Sequence, residues 1–350
     1  MGVLSLLERS RRDLRETRRD LRFAAGVLRR RPFQVLVQVT NRCNMRCSFC
    51  DFWPHGAHPR RELTVADYVR VSDELAALGC FLVSIEGGEP LLRPDIADIV
   101  AAFSAHHLPV LYTNGWHVDA DKAAALFAAG ATQVGVSIDY ARADRHDAKR
   151  DLAGSFDRAW AAVDRLRAAA PHGGRQVHVM SVIMDDTLDE LEPLLQMSAA
   201  RGVGHCVTLL STDGFRRGGD GGDQLPARLL SERLLDLWRR FPHLRSFRDY
   251  LARMDTFLTR PDAMPTCRAG TQSFNIDHLG NVAPCIEKID APVGNLRDAP
   301  LAALHERVRR HPEVAGCQRC WTLCRGFTQA LGEGGDRRSL ADLGTRLRSR

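Results

Sequence analysis

The chain has 350 residues, with 49 lysines and arginines against 43 aspartates and glutamates, so its formal net charge is +6. Residues 1–31 hold ten arginines and four acidic residues and account for the whole surplus, while the remaining 319 residues are neutral overall. A surface that is basic throughout is excluded, and no nucleic-acid partner is expected.

The first segment, residues 1–31, is predicted to contain an amphipathic helix over residues 4–28. One apolar row recurs every seven residues, which is almost two helical turns: Leu7, Leu14, Leu21 and Leu28. We expect this row to pack on the body of the protein and the arginines to face solvent. Contact of the helix with an anionic membrane surface is the alternative.

No stretch has the roughly 20 uninterrupted apolar residues of a membrane-spanning helix. Arginines begin at Arg9 and interrupt any apolar core of a signal peptide. A cytoplasmic protein is therefore predicted, with peripheral membrane contact through residues 4–28 as the open alternative. In a reducing compartment, the ten cysteines are expected to bind metal or take part in chemistry instead of forming disulfides.

Apolar, β-branched runs alternate with amphipathic stretches from residue 33 to about residue 212, as in βα units around a parallel sheet. Six strands are predicted: Phe33–Thr40, Phe81–Glu86, Leu108–Thr113, Gln133–Asp139, Val177–Met184 and Cys206–Ser211. The predicted helices are Thr64–Leu78, Asp95–His106, Ala120–Ala129, Ser155–Ala169, Leu188–Ala200, Leu229–Arg240 and Phe247–Thr259. Six units make an α/β fold with a partial (β/α)6 TIM-like barrel instead of the full eight.

Five segments are distinguished along the chain. They are a basic amphipathic N-terminal helix at 1–31, the partial barrel at 32–225, a helical connector at 226–264, a small cysteine-bearing domain at 265–330 and a basic tail at 331–350. The loop at 212–223 is rich in glycine and aspartate and leaves strand six at the active-site face. It is predicted to be either a substrate lid or a surface loop.

A first group of cysteines follows the first strand directly, in the run Cys43-Asn-Met-Arg-Cys47-Ser-Phe-Cys50. Parallel α/β barrels place their active sites at this C-terminal end of the strands. The spacing lets one loop bring three thiolates to a [4Fe–4S] cluster and leaves the fourth iron open. Structural zinc sites need four protein ligands, and neither His55 nor His58 lies at a familiar spacing for the fourth.

These residues resemble the cysteine signature of the radical S-adenosylmethionine (SAM) superfamily, C-x-x-x-C-x-aromatic-C, with Phe49 at the aromatic position. The second strand ends in Ser84-Ile-Glu-Gly-Gly-Glu-Pro90, which is similar to the G-G-E-P motif of that family. The resemblance implies that SAM chelates the open iron through its amino and carboxylate groups. Reductive cleavage would give methionine and a 5′-deoxyadenosyl radical, which abstracts hydrogen from a substrate. Flavodoxin or ferredoxin would supply the electron.

The same resemblance implies a role for each motif residue. The ligands of the SAM-binding cluster would be Cys43, Cys47 and Cys50. The methionine end of SAM would be held by Gly87, Gly88 and Glu89, and its adenine would lie near Phe49. The ends of strands three and four supply the candidates for contacts with the ribose and carboxylate: Asn114, Ser137 and Asp139.

A second group of cysteines, within residues 267–324, resembles the SPASM/twitch module that follows many radical SAM barrels. Four thiolates would close a second [4Fe–4S] cluster: Cys267, Cys285, Cys317 and Cys320. A hairpin turned at His278-Leu-Gly280 would bring the first two together, although two cysteine pairs also fit a zinc ribbon. The full SPASM module has seven cysteines and this chain has five there, which favours one auxiliary cluster. Cys324 is then a spare, an alternative ligand or a residue that faces the substrate.

A closed auxiliary cluster is suited to electron transfer, so an oxidative outcome is expected, either a dehydrogenation or a cross-link. A redox-neutral epimerase would need a hydrogen-donating cysteine. Cys80 and Cys206 are expected at the N-terminal rim of the barrel, away from the substrate, which leaves Cys324. A non-catalytic iron–sulfur protein, acting in electron transfer or as a scaffold, is the third hypothesis. The substrate stays open among a small metabolite, a lipid, a tetrapyrrole and a peptide.

Overall fold

The computed structural model describes residues 3–212, 214, 224–314 and 316–332, with side chains from residue 16 onward except that of Arg175. Nearly all of the predicted loop at 212–223 and of the predicted tail at 331–350 lies outside the described residues. In the part of the chain that is described, no helix combines the length and the apolarity needed to cross a membrane.

Six parallel strands form the barrel sheet, as the sequence predicts. They are β1 (Gln34–Thr40), β2 (Leu82–Gly87), β3 (Leu108–Thr113), β4 (Gln133–Ser137), β5 (Val177–Ile183) and β6 (Gly204–Leu209). Each strand pairs with its sequence neighbour, in the order β6-β5-β4-β3-β2-β1. This is the arrangement that successive βα units produce, and it confirms the partial (β/α)6 TIM-like barrel.

The predicted helices are present, with one of them divided in two, and three further helices were not predicted. In chain order the helices are α1 (Val3–Leu28), α2 (Val65–Leu78), α3 (Ile96–Ser104), α4 (Ala120–Ala128), α5 (Ala143–Arg150), α6 (Ser155–Ala169), α7 (Leu191–Ala200), α8 (Ser231–Arg240), α9 (Arg248–Ala252), α10 (Met254–Thr259), α11 (Leu301–Arg309) and α12 (Leu323–Gly332). The new helices are α5, α11 and α12. Helix α5 was missed because its polar sequence carries no apolar periodicity. The predicted helix 247–259 is two helices, because the backbone leaves the helical region at Arg253.

The C-terminal module continues the barrel sheet, which the sequence did not predict. Its strands are β7 (Ser273–Ile276), β8 (Asn281–Ala283) and β9 (Gly294–Asn295). Strand β7 pairs in parallel with β1, and β8 pairs antiparallel with β7. The turn between them uses Gly280 at φ +89°, a conformation that side chains disfavour, and Asp277 accepts hydrogen bonds from the amides of Leu279 and Asn281. The predicted hairpin is present, and it joins the module to the barrel.

Alternate residues of each barrel strand point to opposite sides of the sheet. One set, which includes Val35 and Val83, is fully buried in the main apolar core. The other set, which includes Leu36 and Ser84, lines a cavity of about 370 Å³ inside the barrel. The cavity extends from the cysteine loop at the C-terminal ends of the strands to Phe23 of α1 at the opposite end.

Helix α1 packs on the barrel with a face other than the predicted one. Phe23 and Val27 are buried, and the ring of Phe23 meets the ring of Phe33 edge to face at 6.1 Å. Leu21 is 66% exposed and Leu28 is 74% exposed. The expectation that the leucine row packs on the body is therefore wrong for these two residues, because the aromatic contact of Phe23 selects the opposite face of the helix.

Candidate functional site

The cysteine loop follows β1 and lies at the C-terminal mouth of the barrel. Cys43, Cys47 and Cys50 are each partly buried, and all three line the cavity. The loop is anchored by Met45, which is 1% exposed and whose amide donates to the Cys43 sulfur at 3.4 Å. Burial raises the pKa of the Cys43 thiol to about 12 and that of the Cys47 thiol to about 11. Thiols in such surroundings ionise readily when a metal takes up the charge, which suits this donor set to a metal cluster.

Two glycines hold the end of β2 against the segment that follows β1. The Gly88 amide donates to the Thr40 carbonyl at 2.7 Å, and the Glu89 amide donates to the Arg42 carbonyl at 2.8 Å. A Cβ on Gly87 would stand 2.0 Å from the Thr40 oxygen, and one on Gly88 would stand 2.2 Å from the Arg42 oxygen. Only glycine permits this approach. Both glycines line the cavity, so their backbone forms part of the wall beside the cysteine loop.

The carboxylate of Glu89 is fully buried and is not part of the cavity wall. Its Oε1 accepts hydrogen bonds from the Thr113 hydroxyl at 2.7 Å and the Leu91 amide at 3.0 Å, and its Oε2 accepts from the Asn114 amide at 2.7 Å. Burial raises the pKa of Glu89, and these hydrogen bonds oppose that effect. Both carboxylate oxygens thus fix the end of β3, and the contact of Glu89 with the methionine end of SAM stays a prediction.

Asn114 and Ser137 line the cavity, where the sequence places them. The Asn114 side-chain nitrogen donates to the Asn44 side-chain oxygen at 2.8 Å and lies 4.0 Å from the Cys43 sulfur. Ser137 ends β4 and is half-buried. These side chains offer polar groups beside the cysteine loop, and their contacts with the ribose and carboxylate of SAM stay predictions.

Asp139 does not line the cavity, because its carboxylate is held by other residues. Its Oδ1 accepts from the Val182 amide at 2.9 Å, and its Oδ2 accepts from Arg150 at 2.5 Å and 3.1 Å. Arg150 ends α5 and does line the cavity, 5.5 Å above the ring of Phe49. Its positive charge opposes the effect of burial on the pKa of Cys47. Arg150 was not predicted as a site residue, since no motif and no predicted element contained it.

Phe49, the aromatic residue of the cysteine signature, is 6% exposed and lines the cavity. It packs into an apolar cluster with Tyr140, Val182, Met184 and Leu210. An aromatic wall of this kind suits a planar ring. The contact of Phe49 with adenine stays a prediction.

The four predicted auxiliary thiols lie together in the C-terminal module. The Cys267 amide donates to the Cys317 carbonyl at 3.2 Å. Burial, and then the neighbouring thiols, raises the pKa of Cys320 to about 12 and also raises that of Cys285. Arg325 is 3% exposed, donates to the Cys320 carbonyl and lies 5.3 Å over the Trp321 ring. Among the described residues, no three histidine, cysteine, aspartate or glutamate side chains converge on the position of a single metal ion.

Cys324 faces the main cavity. Its sulfur lies 3.0 Å from the Thr322 hydroxyl oxygen. It also packs against the apolar cluster that contacts Cys50 and includes Phe52 and Ile286. Cys324 also lies close enough to Cys320 to raise the pKa of that thiol, so its three predicted uses stay open.

The position of Cys206 differs from the expected one. Strand β6 begins at Gly204, two residues before the predicted start, so Cys206 lies inside the strand and pairs with Met180 of β5. It lines the cavity and is not confined to the N-terminal rim. Cys80 is 2% exposed, packs in an apolar cluster with Phe23 and does not line the cavity.

Comparison with known proteins gives two family matches and several relatives. Residues 37–197 match a profile described as the radical SAM superfamily, and residues 267–321 match the SPASM profile, described as an iron–sulfur cluster-binding domain. Mycofactocin maturase MftC of Mycolicibacterium smegmatis is 31% identical over 319 residues, which covers 85% of this chain and 78% of the relative.

Two further proteins are similar over part of their length or in fold. PqqA peptide cyclase of Ruegeria pomeroyi is 30% identical over 173 residues, covering 49% of this chain and 45% of that relative. The crystal structure of Streptococcus suis SuiB bound to precursor peptide SuiA matches with a TM-score of 0.62 at 15% identity. That match covers 83% of this chain and 69% of the SuiB chain, and it shows a shared fold.

Proposed function

This chain belongs to the radical SAM superfamily, and from that membership we propose that it oxidises a precursor peptide by a radical mechanism. It is an enzyme that uses SAM and a [4Fe–4S] cluster, and its C-terminal SPASM module binds iron–sulfur as well. The iron–sulfur interpretation is thereby confirmed over zinc for both cysteine groups. The hypothesis of a non-catalytic protein is set aside.

The cavity residues have distinct tasks in this proposal. Three thiols, those of Cys43, Cys47 and Cys50, would hold the SAM-binding cluster. When bound, SAM and the reduced cluster supply a 5′-deoxyadenosyl radical that takes a hydrogen atom from the substrate. Gly87 and Gly88 allow the methionine end to approach the backbone, and Arg150 offers a cation to its carboxylate. Asn114, fixed by Glu89, and Ser137 offer hydrogen bonds to the rest of the cofactor.

The oxidative part of the proposal is supported by the packing of two cysteines against one apolar cluster. Cys50 of the first cysteine group and Cys324 beside the auxiliary group pack against the same apolar cluster, which includes Leu36, Phe52 and Ile286. Along this shared apolar wall an electron would pass between the two groups. In an oxidative reaction the substrate would lose a hydrogen atom, then a proton to solvent and one electron, and the auxiliary thiols would hold the cluster that accepts this electron. Two electrons are removed in total, which leaves a new double bond or a cross-link.

The peptide part of the proposal is supported by two of the similar proteins. PqqA peptide cyclase is named for a peptide, and SuiB was crystallised with precursor peptide SuiA. The cavity opens at the mouth that carries the cysteine loop, where a segment of an extended chain could reach the reacting centre. A flavodoxin or ferredoxin would supply the electron for each cleavage of SAM.

The test begins with protein reconstituted anaerobically and supplied with SAM and dithionite. We expect 5′-deoxyadenosine from the wild type and only background from the Cys43→Ala, Cys47→Ala, Cys50→Ala variant. Short peptides encoded beside the gene are then added and analysed by mass spectrometry. A product lighter by two hydrogen atoms supports the proposal. If 5′-deoxyadenosine forms and every such peptide keeps its mass, the oxidative peptide chemistry is wrong.

The position of two cysteines favours a second candidate, a redox-neutral epimerase. Cys206 and Cys324 both line the cavity, so either thiol could return a hydrogen atom to the substrate radical. The resulting thiyl radical would be restored by one electron from the external reductant and one proton. Turnover in deuterium oxide separates the candidates, since an epimerase adds one deuterium at an inverted centre. Cys206→Ala or Cys324→Ala would abolish that incorporation.

A further inference from the structure

We propose that α1 docks the protein on an anionic membrane surface through its exposed leucine row. The proposal concerns where the enzyme works and does not depend on which reaction it catalyses. Four large apolar side chains are exposed among the described residues: Leu21, Leu28, Val69 and Leu229. Leu21 and Leu28 lie seven residues apart on one face of α1, so they form a row, whereas the other two are isolated.

The opposite face of α1 holds the helix on the barrel. Phe23 and Val27 are buried there. Arg19 donates to the Ser104 carbonyl at 3.3 Å, and Arg22 donates to the Ala76 carbonyl at 3.2 Å. Both carbonyls lie in the last turn of a barrel helix, where a cation is favoured. Because this face is occupied, the leucine row is directed away from the barrel.

The sequence continues the same pattern toward the N-terminus. Seven residues turn a helix by almost two full turns, so positions 7 and 14, both leucine, fall on the line of Leu21 and Leu28. Arginines flank one side of this line: Arg18 and Arg29 are exposed there, and the sequence continues this row with arginines at positions 11 and 15. An apolar row flanked by arginines is the arrangement of a helix that lies in the plane of a membrane interface.

Charge decides between a membrane and a second copy of the chain. A coiled coil needs two apolar positions in each seven-residue repeat. If the leucine row supplied one of them, the second would hold Arg11 and Arg18. The positions that would face the row of arginines hold Ser10, Thr17 and Ala24, none of which is acidic. An anionic lipid surface, in contrast, supplies negative charge to a segment of net charge +6 in a chain that is otherwise neutral.

The test is sedimentation of the reconstituted full chain with vesicles. We expect binding to mixed phosphatidylcholine and phosphatidylglycerol vesicles, little binding to phosphatidylcholine alone, and a decrease with added salt. The double variant Leu21→Asp, Leu28→Asp should bind at least about tenfold more weakly, because it removes two apolar contacts and adds negative charge. Leu229→Asp is the matched control, since Leu229 is 67% exposed but lies outside α1, and it should bind like the wild type.

Three other outcomes would contradict docking on a membrane or identify a different partner. Equal binding by the double variant and the wild type, or equal binding to both kinds of vesicle, would overturn the proposal. A wild-type dimer in analytical ultracentrifugation that the double variant lacks would identify a second copy as the occupant. Formation of 5′-deoxyadenosine at the wild-type rate shows that each variant is folded, so loss of vesicle binding cannot be ascribed to unfolding.

Discussion

The guanidinium of Arg150 and the carboxylate of Asp139 form a buried ion pair at 2.5 Å, with their side chains 8% and 0% exposed. The Val182 amide fixes one oxygen of the carboxylate, and the guanidinium lies over the ring of Phe49. Asp139 therefore holds a cation at the cavity wall beside Cys47, while its own carboxylate lies outside the cavity lining. The ion pair with Asp139 should contribute to the stability of the fold, and the charge of Arg150 should contribute to the affinity for SAM, so the two effects can be measured separately.

Replacing Arg150 by glutamine should lower both the free energy of unfolding and the affinity for SAM. The single change leaves the Asp139 carboxylate buried without its partner, at a cost of about 3–5 kcal/mol. The double variant Asp139→Asn, Arg150→Gln removes both charges and should recover most of that stability. Its affinity for SAM should stay at least about tenfold below that of the wild type, because the carboxylate of SAM has lost its cation.

Urea unfolding and equilibrium dialysis with labelled SAM measure the two quantities separately. Full recovery of SAM binding in the double variant would show that Arg150 has no role toward the cofactor. Failure of the double variant to regain stability would instead mean that the ion pair is not what the single variant disrupts.

Gly88→Ala should abolish SAM cleavage, because its Cβ would stand 2.2 Å from the Arg42 carbonyl oxygen and would force the end of β2 away from the cysteine loop. Gly26→Ala is the matched control. Nothing lies within 4 Å of a Cβ at Gly26, which is inside α1, so this variant should be more stable by about 0.5–1 kcal/mol. Formation of 5′-deoxyadenosine and thermal unfolding are measured for both. Normal cleavage by Gly88→Ala would refute the requirement for close approach.

The sequence predicted the six strands, the cysteine loop and the glycine motif because each has a local signal, either periodicity or spacing. It did not predict the partners of the Glu89 and Asp139 carboxylates. Strand-end position places a carboxylate near the site, but only the fold shows that Thr113 and Arg150 occupy it. Helix α5, which supplies Arg150, is polar and carries no periodic signal. The face of α1 was mispredicted for a similar reason, because the leucine spacing cannot reveal the ring packing of Phe23.

His205 should make the fold sensitive to acid. Its ring is fully buried between the hydroxyls of Ser181 at 3.0 Å and Ser198 at 3.2 Å, and burial lowers its pKa from 6.5 to about 3. Below pH 6.5 the unfolded chain therefore binds a proton that the folded chain excludes. The free energy of unfolding is highest above that pH and decreases as the pH drops. Between pH 7 and pH 5 the loss from this group should be about 2 kcal/mol.

The measurement is urea unfolding of the wild type and of His205→Gln at the two pH values. The variant should lose about 2 kcal/mol less than the wild type on going to pH 5. His106→Gln, at a side chain that is 39% exposed, is the control for removal of a histidine. An identical decrease in the wild type and in His205→Gln would assign the acid sensitivity to other groups.

Arg325 should set the reduction potential of the auxiliary cluster. It is buried, donates to the carbonyls of Cys320 and Pro265, and brings a positive charge beside the thiols that would hold the cluster. A nearby cation stabilises the more negative, reduced state, so Arg325→Gln should lower the potential, by about 60 mV if the reduced state becomes tenfold less favoured. Arg325→Lys keeps the charge and should shift the potential less.

Redox titration followed by electron paramagnetic resonance is carried out in the Cys43→Ala, Cys47→Ala, Cys50→Ala background, so that only the auxiliary cluster contributes. An unchanged potential in Arg325→Gln would mean that Arg325 only ties the module together and does not favour electron acceptance.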